Sequence, residues 1–168
     1  AAFDDGENLV LLQFDNSDRA DSALTGGAAT VSGNTVVGQD GAAYGIIAWA
    51  DAAEVTVSGN TVTGPSANAI EVHGGTAHQI LDNQIGPSDT DDEYSPTGIL
   101  VDGDPDTVVG AEGSGNRVVA GLRGVAVEGA STGVSVVANE LTAGGAGPDL
   151  DDEPSQGIGI AAEEAIGT

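Results

Sequence analysis

The chain has 168 residues, and 27 acidic side chains against 3 arginines and no lysine give it a formal net charge of −24. A surface this acidic repels the phosphates of nucleic acids, so a nucleic-acid partner is excluded. Apolar residues make up 39 % of the chain, which is too many for a disordered acidic tail, and no apolar run is long enough to span a membrane.

The charge predicts a salty environment. Carboxylates at this density repel one another in dilute buffer, whereas molar salt shortens the Debye length to about 3 Å and screens them. We therefore expect a protein of an extreme halophile, haloarchaeal or haloviral. The chain has neither Cys nor Met, which excludes disulfides and leads us to expect a segment of a longer, exported or cell-surface protein.

The first predicted strand lies in "ENLVLLQF", Glu7 to Phe14. It precedes "GIIAW", residues 45–49, by about one repeat, so we expect residues 1–28 to supply a partial first coil. Residues 29–168 then form the remaining coils of the same domain.

A repeat runs through those residues: "ATVSGNTVVG" at 29–38 returns as "VTVSGNTVTG" at 55–64. Its central asparagines are Asn34, Asn60, Asn83, Asn116 and Asn139. An apolar residue stands two places after each Asn and three places before it, except that Gly113 takes the earlier position in the fourth copy. A second block follows each Asn and begins with a small residue: Gly45, Ala69, Gly98, Gly124 and Gly157.

These blocks have the two-residue period of β-strands, and no stretch has a helical period. A repeat of 23 residues, the step from Asn60 to Asn83, suits one coil of a parallel β-solenoid. Each Asn is expected to donate to a carbonyl of one neighbouring coil and to accept from the next, which would make a ladder of stacked amides.

The "VSGNTVTG" and "AIEV" blocks resemble the right-handed parallel β-helix superfamily, which includes NosD-like proteins, pectate lyases, polygalacturonases and phage tailspikes. The resemblance covers residues 29–162. It implies an all-β, right-handed, single-stranded parallel β-helix of about five to six coils. It does not imply one function, because the shared residues are structural.

Two acidic insertions are expected in equivalent turns: "GPSDTDDEYSPTG", Gly86 to Gly98, and "GPDLDDEPSQG", Gly147 to Gly157. Loops on a rigid scaffold often carry function. These loops would hold cations or border a ligand groove, or they are simply solvated acidic loops.

The run "DGDPD" places Asp102, Asp104 and Asp106 at alternate positions, as a calcium loop begins. Thr107 and Gly113 then stand where that loop needs Gly and Glu. Calcium is the one candidate cofactor, and a hydrated turn is the alternative.

The alternation predicts that Trp49, Glu71, His73, Asp102 and Glu128 share the outward side of the second block. The same parity places Ile47 and Ala126 outside. An exposed aromatic ring beside polar groups can hold a sugar by stacking and hydrogen bonding. Trp49 could instead cover an end of the stack or pack under a loop. His78 is expected to be a hydrogen-bonded structural residue.

Catalysis has less support. Asp102 and Glu128 on neighbouring coils could be about 5 Å apart, as in retaining glycosidases. However, the "NTD", "GHG" and "RIK" segments of polygalacturonases are absent, and Arg117 and Arg123 lie in no lyase motif. The sequence favours a non-catalytic structural or binding module, with carbohydrate as the candidate ligand class. A polysaccharide lyase or glycoside hydrolase is the alternative, and a fibre or spike subunit that associates end to end is a second one.

Overall fold

The computed structural model describes residues 10–14, 28–37, 44–50, 54–64, 68–86, 97–143 and 158–162. Every regular element in these ranges is a β-strand, and no helix long and apolar enough to cross a membrane occurs there. The strands are β1 (Val10–Phe14), β2 (Ala29–Ser32), β3 (Thr35–Val37), β4 (Tyr44–Ala50), β5 (Val55–Ser58), β6 (Thr61–Thr63), β7 (Asn68–His73), β8 (Gln79–Leu81), β9 (Gln84–Ile85), β10 (Thr97–Asp102), β11 (Val108–Val109), β12 (Arg117–Ala120), β13 (Arg123–Glu128), β14 (Ser135–Val136), β15 (Glu140–Ala143) and β16 (Ile158–Ala162).

The strands form three parallel sheets that run along the stack. The first sheet has the order β1-β4-β7-β10-β13-β16, the second β2-β5-β8-β11-β14, and the third β3-β6-β9-β12-β15. Each coil contributes one strand to each sheet and pairs with the coils before and after it. The all-β parallel solenoid predicted from the repeat is confirmed, whereas its right-handedness stays a prediction.

Three coils are described without a gap, over residues 68–86, 97–120 and 123–143. The complete coils therefore number three rather than five to six. The other strands of each sheet belong to coils that are described only in part. The expected first strand is among them, since β1 pairs with β4 through Val10 and Ile46.

The core lies between the three sheets and is made of columns of aliphatic side chains. Val57, Ile80 and Val109 are neighbours in the second sheet and are all fully buried. Equivalent fully buried columns occupy the other two sheets, among them Val62 in the third and Ile70, Ile99 and Val125 in the first. Each such side chain stabilises the fold by about 1.5–3 kcal/mol.

The fourth repeat departs from the predicted alignment. Val109, not Gly113, pairs with Ile80, so the column residue precedes Asn116 by seven positions instead of three. The turn between β11 and β12 accommodates the extra length with Gly110 and Gly113 at φ of 79° and 78°. Simple counting back from the Asn failed because this insertion falls inside the repeated block.

The last coil also departs from the predicted alignment, by two residues. Arg123 pairs with Ile158 and Val125 with Ile160, which places Gly159, not Gly157, beside Gly124. A Cβ on Gly124 would lie 2.6 Å from the carbonyl oxygen of Gly159. This close approach of two backbones explains why the position holds a small residue.

The predicted asparagine ladder connects five successive coils. In the middle of it, Asn83 Nδ2 donates to Asn116 Oδ1 over 2.9 Å and to the carbonyl of Val57 over 2.9 Å. Its Oδ1 accepts from the backbone N–H and Nδ2 of Asn60, each over 3.0 Å. Each internal Asn thus bonds to the coils on both sides. The ladder has a direction, because the Oδ1 of each Asn after Asn34 accepts from the preceding Asn rather than the following one.

The glycine of the "SGN" triplet is explained by the backbone conformation of the residue before each ladder Asn. Gly33 and Gly59, which precede the first two asparagines, have φ of 68° and 62°, a conformation that glycine adopts without strain. Asp82 and Ala138 take the same place at φ of 53° and 55°. Side-chain-bearing residues are disfavoured there, by about 1–2 kcal/mol.

Replacing Asn83 by Ala should destabilise the fold by roughly 3 kcal/mol or more, because several buried groups on three coils lose their partners at once. Asn34→Ala, at the exposed end of the ladder, should cost about 1 kcal/mol or less. Chemical denaturation at constant molar salt measures both. Equal costs for the two variants would contradict the ladder as the source of stability.

Candidate functional site

A column of polar residues crosses the outer face of the first sheet. Trp49 pairs with His73, His73 with Asp102, and Asp102 with Glu128 on four successive strands. Parallel strands in register place such residues about 4.8 Å apart. The predicted juxtaposition of these four positions is therefore present in the backbone. The side chain of Trp49 lies outside the described residues.

The described side chains of this column form close polar pairs. His73 Nδ1 lies 2.9 Å from Asp102 Oδ2, and the two side chains are 50 % and 34 % exposed. Arg123 Nη1 donates to Glu128 Oε1 over 2.7 Å. Asn68 and Glu71 add a hydrogen bond on the same sheet, over 2.8 Å. We call the set of His73, Asp102, Glu128, Arg123, Asn68 and Glu71 the polar face.

The middle of the first sheet is less open than the alternation predicted. Ile47, expected outside, is 2 % exposed, and Ala126 is fully buried. Glu71 and Leu100, in the same column, are half-buried. The accessible positions of the column are therefore those at the carboxyl ends of β7, β10 and β13, where His73, Asp102 and Glu128 lie.

The predicted calcium loop does not form one site. Asp102 belongs to the polar face, Asp104 is fully buried, and Asp106 is exposed. Among the described residues no group of three or more His, Asp or Glu side chains is arranged to hold a metal ion. The three carboxylates thus lie in different surroundings, one on the polar face, one buried and one exposed, and calcium binding stays a prediction.

Of the two acidic insertions, the structure describes only residues that border them. Residues 87–96 and 147–157 lie outside the described part of the chain. Gly86 and Thr97 flank the first insertion and join the third sheet to the first. The cation clamp and groove border stay predictions.

The two candidate catalytic carboxylates are neighbours, since Asp102 and Glu128 are register partners on β10 and β13. Each is also paired with a basic side chain, Asp102 with His73 and Glu128 with Arg123. Paired carboxylates of this kind suit hydrogen bonding to a ligand as well as they suit catalysis.

The sequence did not reveal the buried pair of His78 and Asp104. Both side chains are fully buried, and His78 Nε2 lies 3.4 Å from Asp104 Oδ1. His78 is hydrogen-bonded and structural, as predicted. For Asp104 the sequence indicates a calcium loop or a hydrated turn, and it offers no pattern that would connect two residues 26 positions apart in turns of unlike composition.

Comparison with protein-family models, with curated proteins and with solved structures found no match for the chain. The superfamily resemblance and the halophilic origin therefore rest on the residues described above and stay predictions. Function has to be argued from the polar face itself.

Replacing His73 by Gln should change the free energy of unfolding by less than about 1 kcal/mol, since ion pairs between partly exposed groups contribute little. Asn83→Ala provides the contrasting large loss in the same denaturation experiment. A loss of several kcal/mol in the His73 variant would show instead that this residue is part of the structural core.

Proposed function

We propose that the chain is a non-catalytic structural and binding module of an exported or surface-associated protein from an extreme halophile, and that its polar face holds carbohydrate. The observation that carries the proposal is the in-register column of Trp49, His73, Asp102 and Glu128. The backbone register brings an aromatic residue into line with the donors and acceptors of His73, Asp102 and Glu128. A sugar ring requires such a combination for stacking and hydroxyl recognition.

The rigidity of the scaffold supports this function. Strands β7, β10 and β13, which carry the described part of the column, each have neighbours on both sides in the first sheet. Their buried side chains are packed into one continuous core. A ligand therefore meets groups that are already in place, which reduces the conformational entropy lost on binding.

The charge of the chain narrows the ligand class. A net charge of −24 repels uronate and sulfate polymers unless cations bridge them. His73 and Arg123 are themselves paired with carboxylates on the polar face. Neutral glycans are therefore the expected class.

Titration calorimetry in molar KCl with neutral oligosaccharides tests the proposal. Trp49→Ala should weaken binding about tenfold or more, equivalent to about 1.4 kcal/mol, and Asp102→Asn and His73→Gln should weaken it too. Glu140→Gln is the matched control, because Glu140 is 70 % exposed and lies on the third sheet. Binding that all four variants retain, or no binding to any neutral glycan, would reject the polar face as the site.

The same samples distinguish a lyase or hydrolase. An enzyme would release new reducing ends or unsaturated sugars, and Asp102→Asn and Glu128→Gln would abolish that release. Product formation with these properties would replace the binding module by the enzyme alternative.

Self-assembly is a second candidate, favoured by the direction of the asparagine ladder. Within the described residues, Asn34 Oδ1 receives no bond from an earlier Asn, while Asn139 Nδ2 has no later Asn and donates to carbonyls of Val109 and Val137. A second copy stacked head to tail would continue the ladder. Exposed Val37 near one end and Val137 and Ile160 near the other could add apolar contact.

Light scattering after size exclusion in molar KCl, with dilution into low salt as control, tests assembly. The head-to-tail arrangement predicts an open-ended series of masses that Ile160→Asp shortens, because a charge would be buried at the junction. A monomer at every concentration would reject it.

A further inference from the structure

The corner between the first and second sheets has its own bonds between coils, made by unlike residues. Val55 N–H donates to His78 Nδ1 over 3.0 Å. In the next coil, Asp104 Oδ1 lies 3.4 Å from His78 Nε2. The backbone N–H of Asp104 donates to Ser131 Oγ over 3.0 Å, and Ser131 Oγ donates to the carbonyl of Glu128 over 2.6 Å. We call this series the second ladder; it crosses four coils.

The contacts of His78 locate the proton of its ring. A backbone N–H can only donate, so Nδ1, which accepts from Val55, carries no proton. The ring proton is therefore on Nε2, which is 2.8 Å from the carbonyl of Gly74. The Gly74 carbonyl oxygen is closer to Nε2 than the carboxyl oxygen of Asp104 is. The imidazole therefore makes its full hydrogen bond to Gly74 and not to Asp104.

Asp104 is left without hydrogen bonds for its side chain. Neither Oδ1 nor Oδ2 has a hydrogen-bond partner, although the side chain is fully buried. The hydroxyl of Thr107, at the end of the same turn, is also buried and unpaired. An ionised carboxylate in such a place costs several kcal/mol. A neutral carboxylic acid avoids that cost, and its O–H can donate a hydrogen bond to a hydroxyl oxygen.

We propose that the second ladder is a pH-sensitive connection between coils: Asp104 stays protonated in the folded stack, and its ionisation as the pH rises loosens the corner between residues 68–86 and 97–120. The Asn ladder at the other corner contains no titratable group. The two corners would therefore respond differently to pH.

The charged surroundings agree with a retained proton. Glu54 on the preceding coil faces His78, and His73 and Asp102 on the polar face act on Asp104. Burial raises the pKa of Asp104 above its ordinary 3.8, against the lowering effect of His78. Burial lowers the pKa of His78, and Asp104 and the Gly74 carbonyl raise it, with a net rise above 6.5. The charge effect of Asp104 in that rise needs an ionised carboxylate, so it is absent while Asp104 keeps its proton.

The direction of the stability change follows from these pKa shifts. A folded-state pKa above the unfolded value means that the folded chain keeps a proton which the unfolded chain releases. For Asp104 the stabilisation is complete below pH 3.8 and is lost as the pH rises through the folded pKa.

Denaturation across pH, in constant molar KCl to screen the exposed carboxylates, tests the proposal. The folding equilibrium constant of the unmodified chain should fall with rising pH more steeply than that of Asp104→Asn, by up to about tenfold per pH unit for one proton. Asp106→Asn is the matched control: it removes the same charge two residues later from an exposed position, and Asn tolerates its φ of 60°. Asp106→Asn should keep the steep dependence. Identical pH profiles for all three proteins would overturn the proposal.

Carboxyl carbon NMR of the unmodified chain tests the same point, even if Asp104→Asn does not fold. One Asp carboxyl should titrate at a higher pH than the other Asp carboxyls, whose ordinary pKa is near 3.9. The amide of Val55 should lose protection from hydrogen exchange when that carboxyl titrates. If every Asp carboxyl titrates in the ordinary range, Asp104 does not keep its proton in the folded state and the proposal fails.

Discussion

The structure depends on hydrogen bonding between coils. The strands of a single coil do not pair with one another, because every strand pairs with the equivalent strand one coil away. The asparagine ladder adds side-chain bonds with the same spacing, and it does so inside the stack, where an unpaired amide would be costly. Stability is therefore a property of adjacent coils rather than of any one coil, as in other repeat proteins. This constraint explains why the "SGN" triplet and the aliphatic columns recur while the rest of the sequence varies.

Two of the corners connect successive coils with different chemistry. At the corner between the second and third sheets, identical amides stack, and each serves as donor and acceptor in turn. At the corner between the first and second sheets, His78, Asp104 and Ser131 connect successive coils with unlike groups. Identical groups would form the same bonds whichever two coils were adjacent. Unlike groups form their bonds only when the coils are stacked in one order. The second ladder thus distinguishes one coil from the next, at the cost of buried polar atoms without partners.

The polar face follows from the same stacking. Residues that are 24 to 29 positions apart in sequence, such as Trp49, His73 and Asp102, become neighbours because parallel register repeats every coil. Their side chains are free to vary, since the core needs only the alternate positions. A stiff backbone with variable outward residues is a suitable basis for ligand binding. The pairing of His73 with Asp102 and of Arg123 with Glu128 reduces the repulsion that a chain of this charge would otherwise place there.

The sequence by itself determined the parallel solenoid, the asparagine ladder, the aliphatic columns and the in-register column from Trp49 to Glu128. These features repeat, and a period of two within a strand and about one coil between strands is visible in the letters. Only the tertiary structure decided the rest. Gly113 and Gly157 were misaligned because an insertion changes the path of one turn without changing its composition. Ile47 proved buried and Asp104 proved to be the partner of His78, because burial and pairing at a corner depend on which turn lies above it, and that is fixed by packing between coils rather than by any local pattern.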